Sequence, residues 1–158
     1  MRKETTITLN DRGKELTFKV REMPASRLES WIIRAGLLLA GSGLLDHTPQ
    51  GAGEALEVAG RTFQEKGLTA LQAVDYEKGR PLLDELMACC TRIDAGIEQQ
   101  LQPEIADGII EDVRTRFALY KAAWEVNMGF LLDAAQSATE AGQSSTSQAP
   151  SKRKISVG

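Results

Sequence analysis

The sequence predicts a mainly α-helical protein, in which a short N-terminal β-hairpin packs on a helical bundle and a disordered C-terminal tail follows. Three observations predict this fold class. Residues 7–20 alternate apolar and polar side chains, and much of residues 24–135 carries apolar side chains at steps of three and four. Residues 136–158 are small or polar almost throughout. We therefore expect one helical domain over residues 4–135 and a polar, basic tail over residues 136–158.

Composition limits the function classes that need considering. The chain has 158 residues, of which 42% are hydrophobic, so one domain with a real core is expected. The net charge of −3 argues against a nucleic-acid partner, because neutralising phosphates requires clustered lysine and arginine. The longest apolar stretch, residues 31–41, is about half of a membrane span, and the N-terminus lacks the apolar core of a signal peptide. We expect no membrane partner and a cytoplasmic location.

The hairpin is predicted over residues 7–20, and no other segment of the chain has the pattern of a strand. Asn10-Asp11-Arg12-Gly13 supplies the turn, in which Gly13 can take a positive φ. A two-stranded hairpin is marginal alone, so its apolar face must be covered. The hairpin either closes this chain's helical core, which we favour, or offers an edge strand to another subunit. The face to be covered comprises Ile7, Leu9, Leu16, Phe18 and Val20.

The first helix is predicted over residues 24–40. Pro24 suits a first turn, and Ser26 and Glu29 have the spacing of a capping box. The apolar side chains cover so much of the helix that it lies either in the core, which we favour, or in an interface. Its stripe consists of Leu28, Trp31, Ile32, Ala35, Leu38 and Leu39.

The middle of the chain alternates loops and helices in this interpretation. Residues 41–53 are glycine-rich and predict a loop that carries the single histidine, His47. Residues 54–78 predict two short helices broken at Gly67, and Pro81 predicts the first turn of a further helix. Apolar side chains at helical spacing then continue until Pro103 interrupts them, at Leu83, Leu86, Cys90, Ile93 and Ile97.

The last helix is predicted from Glu104 or Asp107 to Ala135. Its heptad-like seam faces the core, which we favour, or forms an intermolecular coiled coil. The seam consists of Ile110, Val113, Phe117, Tyr120, Trp124, Met128 and Leu131. Residues 136–158 cannot bury enough apolar surface to offset their ordering entropy, so we expect them to be disordered.

No sequence motif for catalysis or cofactor binding stands out. The chain has no glycine-rich phosphate cradle, no G-x-S-x-G and no HExxH. The adjacent Cys89 and Cys90 with one histidine do not make a zinc site, and we interpret both cysteines as small buried residues in a reducing compartment. Glu111 and Asp112 are neighbours, so on a helix they face different ways. We predict that the protein is not an enzyme and has no catalytic residue, cofactor or metal.

Three local patterns resemble the tail assembly chaperones of long-tailed bacteriophages and prophages. They are the hairpin "ITLNDRGKELTFKV", the helix entry "MPASRLESW" and the closing helix "AAWEVNMGFLLDA" with its polar tail. The resemblance covers residues 4–135 and includes no chemical fingerprint.

The resemblance implies a non-catalytic protein of the host bacterial cytoplasm. Such chaperones coat the helix-rich tape measure protein before the tail tube closes round it, and they are thought to recruit tail tube subunits. We expect these two partners together with self-association, because large exposed apolar patches are a liability on a lone monomer. The residues expected to bind partners by helix-in-groove recognition are Trp31, Ile32, Leu38, Leu39, Phe117, Tyr120, Trp124 and Met128.

Two alternatives share this organisation. The first is a structural tail protein or head–tail connector that stays in the virion. The second is a small DNA-binding phage regulator that uses a basic helix around Arg114 and Arg116. The neighbouring acidic residues argue against this second alternative.

Overall fold

The computed structural model describes residues 1–43 and 74–143, with positions 50, 54, 58, 61–62 and 65–66 between them; at 131–132 and 134–143 it describes the backbone alone. Within these residues the chain forms a four-stranded antiparallel sheet covered by helices. The strands are β1 (Glu4–Asp11), β2 (Lys14–Arg21), β3 (Cys90–Asp94) and β4 (Ile97–Gln100). The helices are α1 (Ala25–Gly41), α2 (Tyr76–Met87), α3 (Pro103–Ile109) and α4 (Val113–Gln143).

The fold is mixed α and β, so the prediction of a mainly α-helical protein is wrong. A second hairpin, β3 and β4, forms where a helix was predicted. Helix α2 ends at Met87, and the apolar residues beyond it fit a helical spacing only by coincidence. Ala95 and Gly96 have φ values of 49° and 83°, the two positive values of a tight hairpin turn.

The sheet has the order β1-β2-β3-β4, so β2 and β3, which are far apart in the sequence, meet in its centre. The predicted N-terminal hairpin is confirmed, with a register from Glu4 opposite Arg21 to Asp11 opposite Lys14. Its turn has φ values of 49° at Arg12 and 88° at Gly13, as expected of a two-residue turn. Strand β2 also pairs with β3, which makes β2 a central strand.

One face of the sheet carries the core and the other is polar. Leu16, Phe18 and Val20 point from β2 into a buried cluster that the helices complete. The hairpin thus closes this chain's own core, which is the favoured prediction. On the opposite face the hydroxyl oxygens of Thr8 and Thr17 lie 3.2 Å apart across the hairpin.

The predicted position of helix α1 is confirmed, but its predicted capping box is wrong. The N-cap residue is Pro24, and no side chain caps the helix, so Ser26 and Glu29 form no capping box. The pattern misled because Ser26 already lies inside the first turn. The buried side of the helix is the predicted stripe, with Leu38 only partly covered.

Helix α2 begins earlier than predicted. The side chain of Asp75 accepts a hydrogen bond of 3.1 Å from the Glu77 N–H and caps the helix there. Pro81 therefore lies inside the helix instead of in its first turn. Most of the predicted loop at residues 41–53, including His47, and most of the two short helices at residues 54–78 lie outside the described residues.

The predicted last helix is two helices. Ile110 has an extended conformation, with φ −100° and ψ 116°, and separates α3 from α4. Helix α4 then extends to Gln143, past the predicted end at Ala135. The remaining tail, residues 144–158, lies outside the described residues, so its disorder stays a prediction.

Candidate partner-binding surfaces

Five of the eight residues expected to bind partners lie in the core. Trp31, Ile32, Leu39, Trp124 and Met128 are at most 7% exposed. Leu38 and Tyr120 are partly buried against the same cluster. Phe117 is the exception, because 57% of it is exposed. Periodicity thus found the side chains that hold the helices together, and these can reach a partner only if the helices separate.

The two tryptophans lie at the centre of this packing. The rings of Trp31 and Trp124 meet edge to face, with centroids 6.0 Å apart and an interplanar angle of 70°. Trp31 Nε1 donates a hydrogen bond of 3.0 Å to the carbonyl oxygen of Leu82. These contacts join α1, α2 and α4 through two side chains.

Trp124 and Met128 of the predicted seam are buried, but its first two residues on α4 are not, and a neighbouring row of side chains is buried as well. Val113 and Phe117 are 59% and 57% exposed, whereas Leu119, Ala123 and Asn127, at steps of four, are fully buried. The prediction missed this face because it contains an asparagine, which periodicity counts as polar.

Asn127 is buried because it satisfies its polar atoms with the main chain. Its Oδ1 accepts a hydrogen bond of 2.8 Å from the Met23 N–H. Its Nδ2 donates one of 2.7 Å to the carbonyl oxygen of Ala123. The side chain therefore fixes the segment between β2 and α1 against α4.

A groove of about 580 Å³ lies between the C-terminal end of α1 and helix α2. Its apolar lining is Leu37, Leu38, Val74, Pro81 and Leu82, and the charged residues at its border are Arg34, Asp75 and Lys78. Leu37 is 55% exposed, on the side of α1 that faces away from the core. Ser42 and Val74, which line the groove, border the stretch 44–73, most of which lies outside the described residues.

An ion pair fixes the two helices that form this groove. The Arg34 guanidinium donates two hydrogen bonds, of 2.7 and 2.9 Å, to the two carboxylate oxygens of Glu85. This bidentate pairing with Arg34 lowers the pKa of Glu85, and Arg27 contributes to the same effect. This ion pair therefore links α1 to α2 beside the groove.

A buried carboxylate joins the hairpin turn to the start of α4. Asp11 Oδ2 accepts a hydrogen bond of 2.8 Å from the Glu111 N–H. Asp11 Oδ1 accepts one of 2.8 Å from the Asp112 N–H and one of 2.9 Å from the Thr115 hydroxyl. Burial acts to raise the pKa of Asp11, but these three hydrogen bonds outweigh it and hold the pKa below 3.8. The role of this group is structural.

The arginines of the DNA-binding alternative are both paired with acids. Arg114 donates to Asp112, its shortest contact being 2.6 Å, and this holds the pKa of Asp112 at about 2. Arg116 pairs with Asp107. Each of these two arginines therefore has an acidic partner at the start of α4.

The two cysteines are free thiols. Burial raises the pKa of Cys89 to about 11 and that of Cys90 to about 12, so both are protonated at neutral pH. Among the described residues, no group of three or more histidine, cysteine or acidic side chains could hold a metal ion. His47 lies outside these residues.

Across the described part of the chain, no helix is both long and apolar enough to cross a membrane. Comparison of the chain with protein-family models, with curated proteins and with solved structures found no match.

Proposed function

We propose that the protein is a non-catalytic tail assembly chaperone of a long-tailed bacteriophage or prophage. In the host bacterial cytoplasm it binds the tape measure protein and helps to recruit tail tube subunits. The resemblance of the hairpin, the "MPASRLESW" helix entry and the closing helix to such chaperones suggests this role. The observation that carries the proposal is the apolar groove between α1 and α2.

The groove suits one face of an amphipathic helix. Leu37, Leu38 and Pro81 offer an apolar floor, and Arg34, Asp75 and Lys78 offer charges of both signs along the border. Helix-in-groove recognition uses this combination, in which apolar anchors supply affinity and border charges orient the ligand. Covering the exposed half of Leu37 contributes about 1 kcal/mol. Several such contacts, repeated along a long helical partner, would coat it.

A second exposed apolar pair lies on α4. Val113 and Phe117 are one helical turn apart and both more than half exposed. In this proposal the groove takes the tape measure protein, and the Val113–Phe117 pair is available to a tail tube subunit. Of the residues expected from the sequence, Leu38 and Phe117 keep a direct role, and the buried ones act by holding the helices in place.

Co-purification tests the groove assignment. The chain, carrying an affinity tag, is co-expressed with the tape measure protein encoded beside it, and the captured complex is quantified. We expect Leu37→Asp to reduce capture at least tenfold, because it places a charge on the apolar floor. Ile97→Asp is the matched control, since Ile97 is 71% exposed on β4 and does not line the groove.

Different outcomes of this experiment would refute the groove assignment and the proposed function. Equal capture by wild type and Leu37→Asp, with a folded variant, would refute the groove assignment. Failure of the wild-type chain to capture the tape measure protein would refute the proposed function. A lower urea midpoint for Leu37→Asp would show that this leucine is needed for folding, and Lys78→Glu at the border would then replace it.

The virion-protein alternative is separated by a different measurement. A chaperone is absent from purified particles, whereas a structural tail or connector protein is present at a fixed number of copies. Quantitative mass spectrometry of purified virions therefore distinguishes the two.

A further inference from the structure

We propose that the protein forms a two-fold symmetric dimer in which the outer strand β1 pairs antiparallel with β1 of a second copy. The two four-stranded sheets then become one continuous sheet. This inference is independent of the proposed function, because it rests on the backbone geometry of the hairpin.

Among the described residues, the outer edge of β1 carries backbone groups that pair with no other strand. The sheet order places β1 at one edge, and among the described strands only β2 pairs with it. The Glu22 N–H donates a hydrogen bond of 2.8 Å to the Lys3 carbonyl, so Lys3 and Glu22 are a hydrogen-bonded pair of the hairpin. Hydrogen-bonded and non-hydrogen-bonded pairs then alternate along β1 and β2. The odd-numbered residues of β1 therefore bond to β2, and Thr6, Thr8 and Asn10 direct their N–H and C=O groups outward.

Strand β1 has few of the features that protect an edge. It is eight residues long and regular, and its sequence ETTITLND contains no proline and no lysine. Strand β4, at the opposite edge, has only four residues. An isologous contact between two β1 strands is closed, whereas β1 pairing with β4 would propagate into a filament. The longer, self-complementary edge favours the closed dimer.

Two constraints limit the register to pairings of even-numbered with even-numbered residues, and the match of apolar side chains then selects one of them. The outward-facing residues of both strands must form the hydrogen-bonded pairs, and both core faces must lie on the same side of the joined sheet. Placing Thr8 on the two-fold axis satisfies both, with Thr6 opposite Asn10 of the second copy. Ile7 then lies beside Leu9 of the second copy on the core side, twice per dimer. Ile7 and Leu9 are only partly buried in the single chain, so this pairing completes their burial.

The contact is small. Two paired strands bury less than the roughly 1,200 Å² of a standard protein interface, so we expect a dimer that dissociates on dilution. Sedimentation velocity between about 1 μM and about 1 mM should show the conversion of monomer to dimer, with reducing agent present throughout.

A charge exchange at position 8 tests the strand and the register together. Thr8 is exposed on the polar face, and the two-fold axis places it opposite Thr8 of the second copy. We expect Thr8→Lys alone and Thr8→Glu alone to weaken dimerisation at least tenfold, because like charges then face each other. An equimolar mixture of the two variants should restore a heterodimer. Gln99→Lys, on the exposed strand β4, is the matched control and should dimerise as the wild type does.

Amide hydrogen exchange on the unmodified protein provides a second measurement. Raising the concentration should slow exchange at Thr6, Thr8 and Asn10, whose N–H groups bond to the second copy. Thr5, Ile7 and Leu9 should change little, since their N–H groups already bond to β2.

Several results would overturn the proposal. They are a monomer at all concentrations, a dimer that persists in Thr8→Lys, and a mixture of the charged variants that does not recombine. Loss of the dimer in Gln99→Lys would assign the contact to β4 instead. If a charged variant does not fold, the alternating exchange pattern alone decides.

Discussion

Replacing Asp11 with asparagine should destabilise the protein strongly, because this buried carboxylate accepts three hydrogen bonds. Asp11 is 1% exposed, and three groups at the start of α4 donate hydrogen bonds to it. Asparagine keeps one oxygen, which can still accept from the Asp112 N–H and the Thr115 hydroxyl. Its amide nitrogen takes the place of the other oxygen and directs a donor at the Glu111 N–H.

The expected loss follows from these contacts. One hydrogen bond to a charged acceptor disappears and leaves a buried N–H unpaired, which costs about 2 kcal/mol. The other two bonds change from a charged to a neutral acceptor and together lose about 1 kcal/mol. We therefore expect the free energy of unfolding to fall by about 3 kcal/mol. With an m-value of about 2 kcal/mol/M, the urea midpoint falls by about 1.5 M.

The effect of Asp11 also has a defined pH dependence. Its pKa in the folded protein lies below 3.8, so the unfolded chain binds a proton first as pH falls. The stabilisation is therefore fully present above about pH 5 and is lost as pH falls through the folded pKa. The difference between wild type and Asp11→Asn should be constant from pH 7 to pH 5 and should shrink below about pH 4.

Urea unfolding, followed by circular dichroism at a series of pH values, measures both effects. Asp94→Asn is the matched control, because Asp94 is 67% exposed and pairs with Arg92 at the surface. An exposed pair of this kind contributes at most about 1 kcal/mol. The reasoning is refuted if Asp11→Asn costs no more than Asp94→Asn, or if the difference from wild type does not change with pH.

Three further outcomes are expected. Asn127→Ala removes a buried side chain that bonds to the main chain twice, and should lower the free energy of unfolding by about 2–4 kcal/mol in urea titrations. Trp31→Phe keeps most of the ring packing but removes the hydrogen bond that Trp31 Nε1 donates to the Leu82 carbonyl, so calorimetry should show a loss of about 1 kcal/mol. Cys89 and Cys90, whose pKa values burial raises to about 11 and 12, should react with a thiol reagent at pH 8 only after urea is added; rapid labelling of the native protein would contradict this.

The two hairpins show what the sequence can and cannot predict. In the first, alternation over residues 7–20 and the turn ending at Gly13 point to the same structure, and the prediction is confirmed. In the second, Cys90, Ile93 and Ile97 fall at steps that also suit a helix. The β-branched side chains and the Ala95–Gly96 turn carried the information, but the segment is too short for periodicity to decide.

The candidate surfaces were predictable only in part. Apolar spacing located Trp31 and Trp124 correctly as important, but a core contact and a partner contact have the same pattern in a sequence. The groove depends on how α1 and α2 pack, so Leu37 and Pro81 become neighbours only in three dimensions. Asn127 could not be identified as buried because its partners are main-chain atoms of Met23 and Ala123.

The bond between Asp11 and the start of α4 has a consequence for the synthesis of the chain. The Asp11 carboxylate and the Asp112 N–H are 101 positions apart in the sequence. Strand β3, which pairs with β2, is also synthesised long after the hairpin. At about 5–20 residues per second, a ribosome needs roughly 5–20 s to make the intervening chain. Through most of that interval the newly made hairpin has neither helix α4 nor its neighbouring strand β3. The order of translation therefore sets a period in which its apolar face is open to other proteins of the cell.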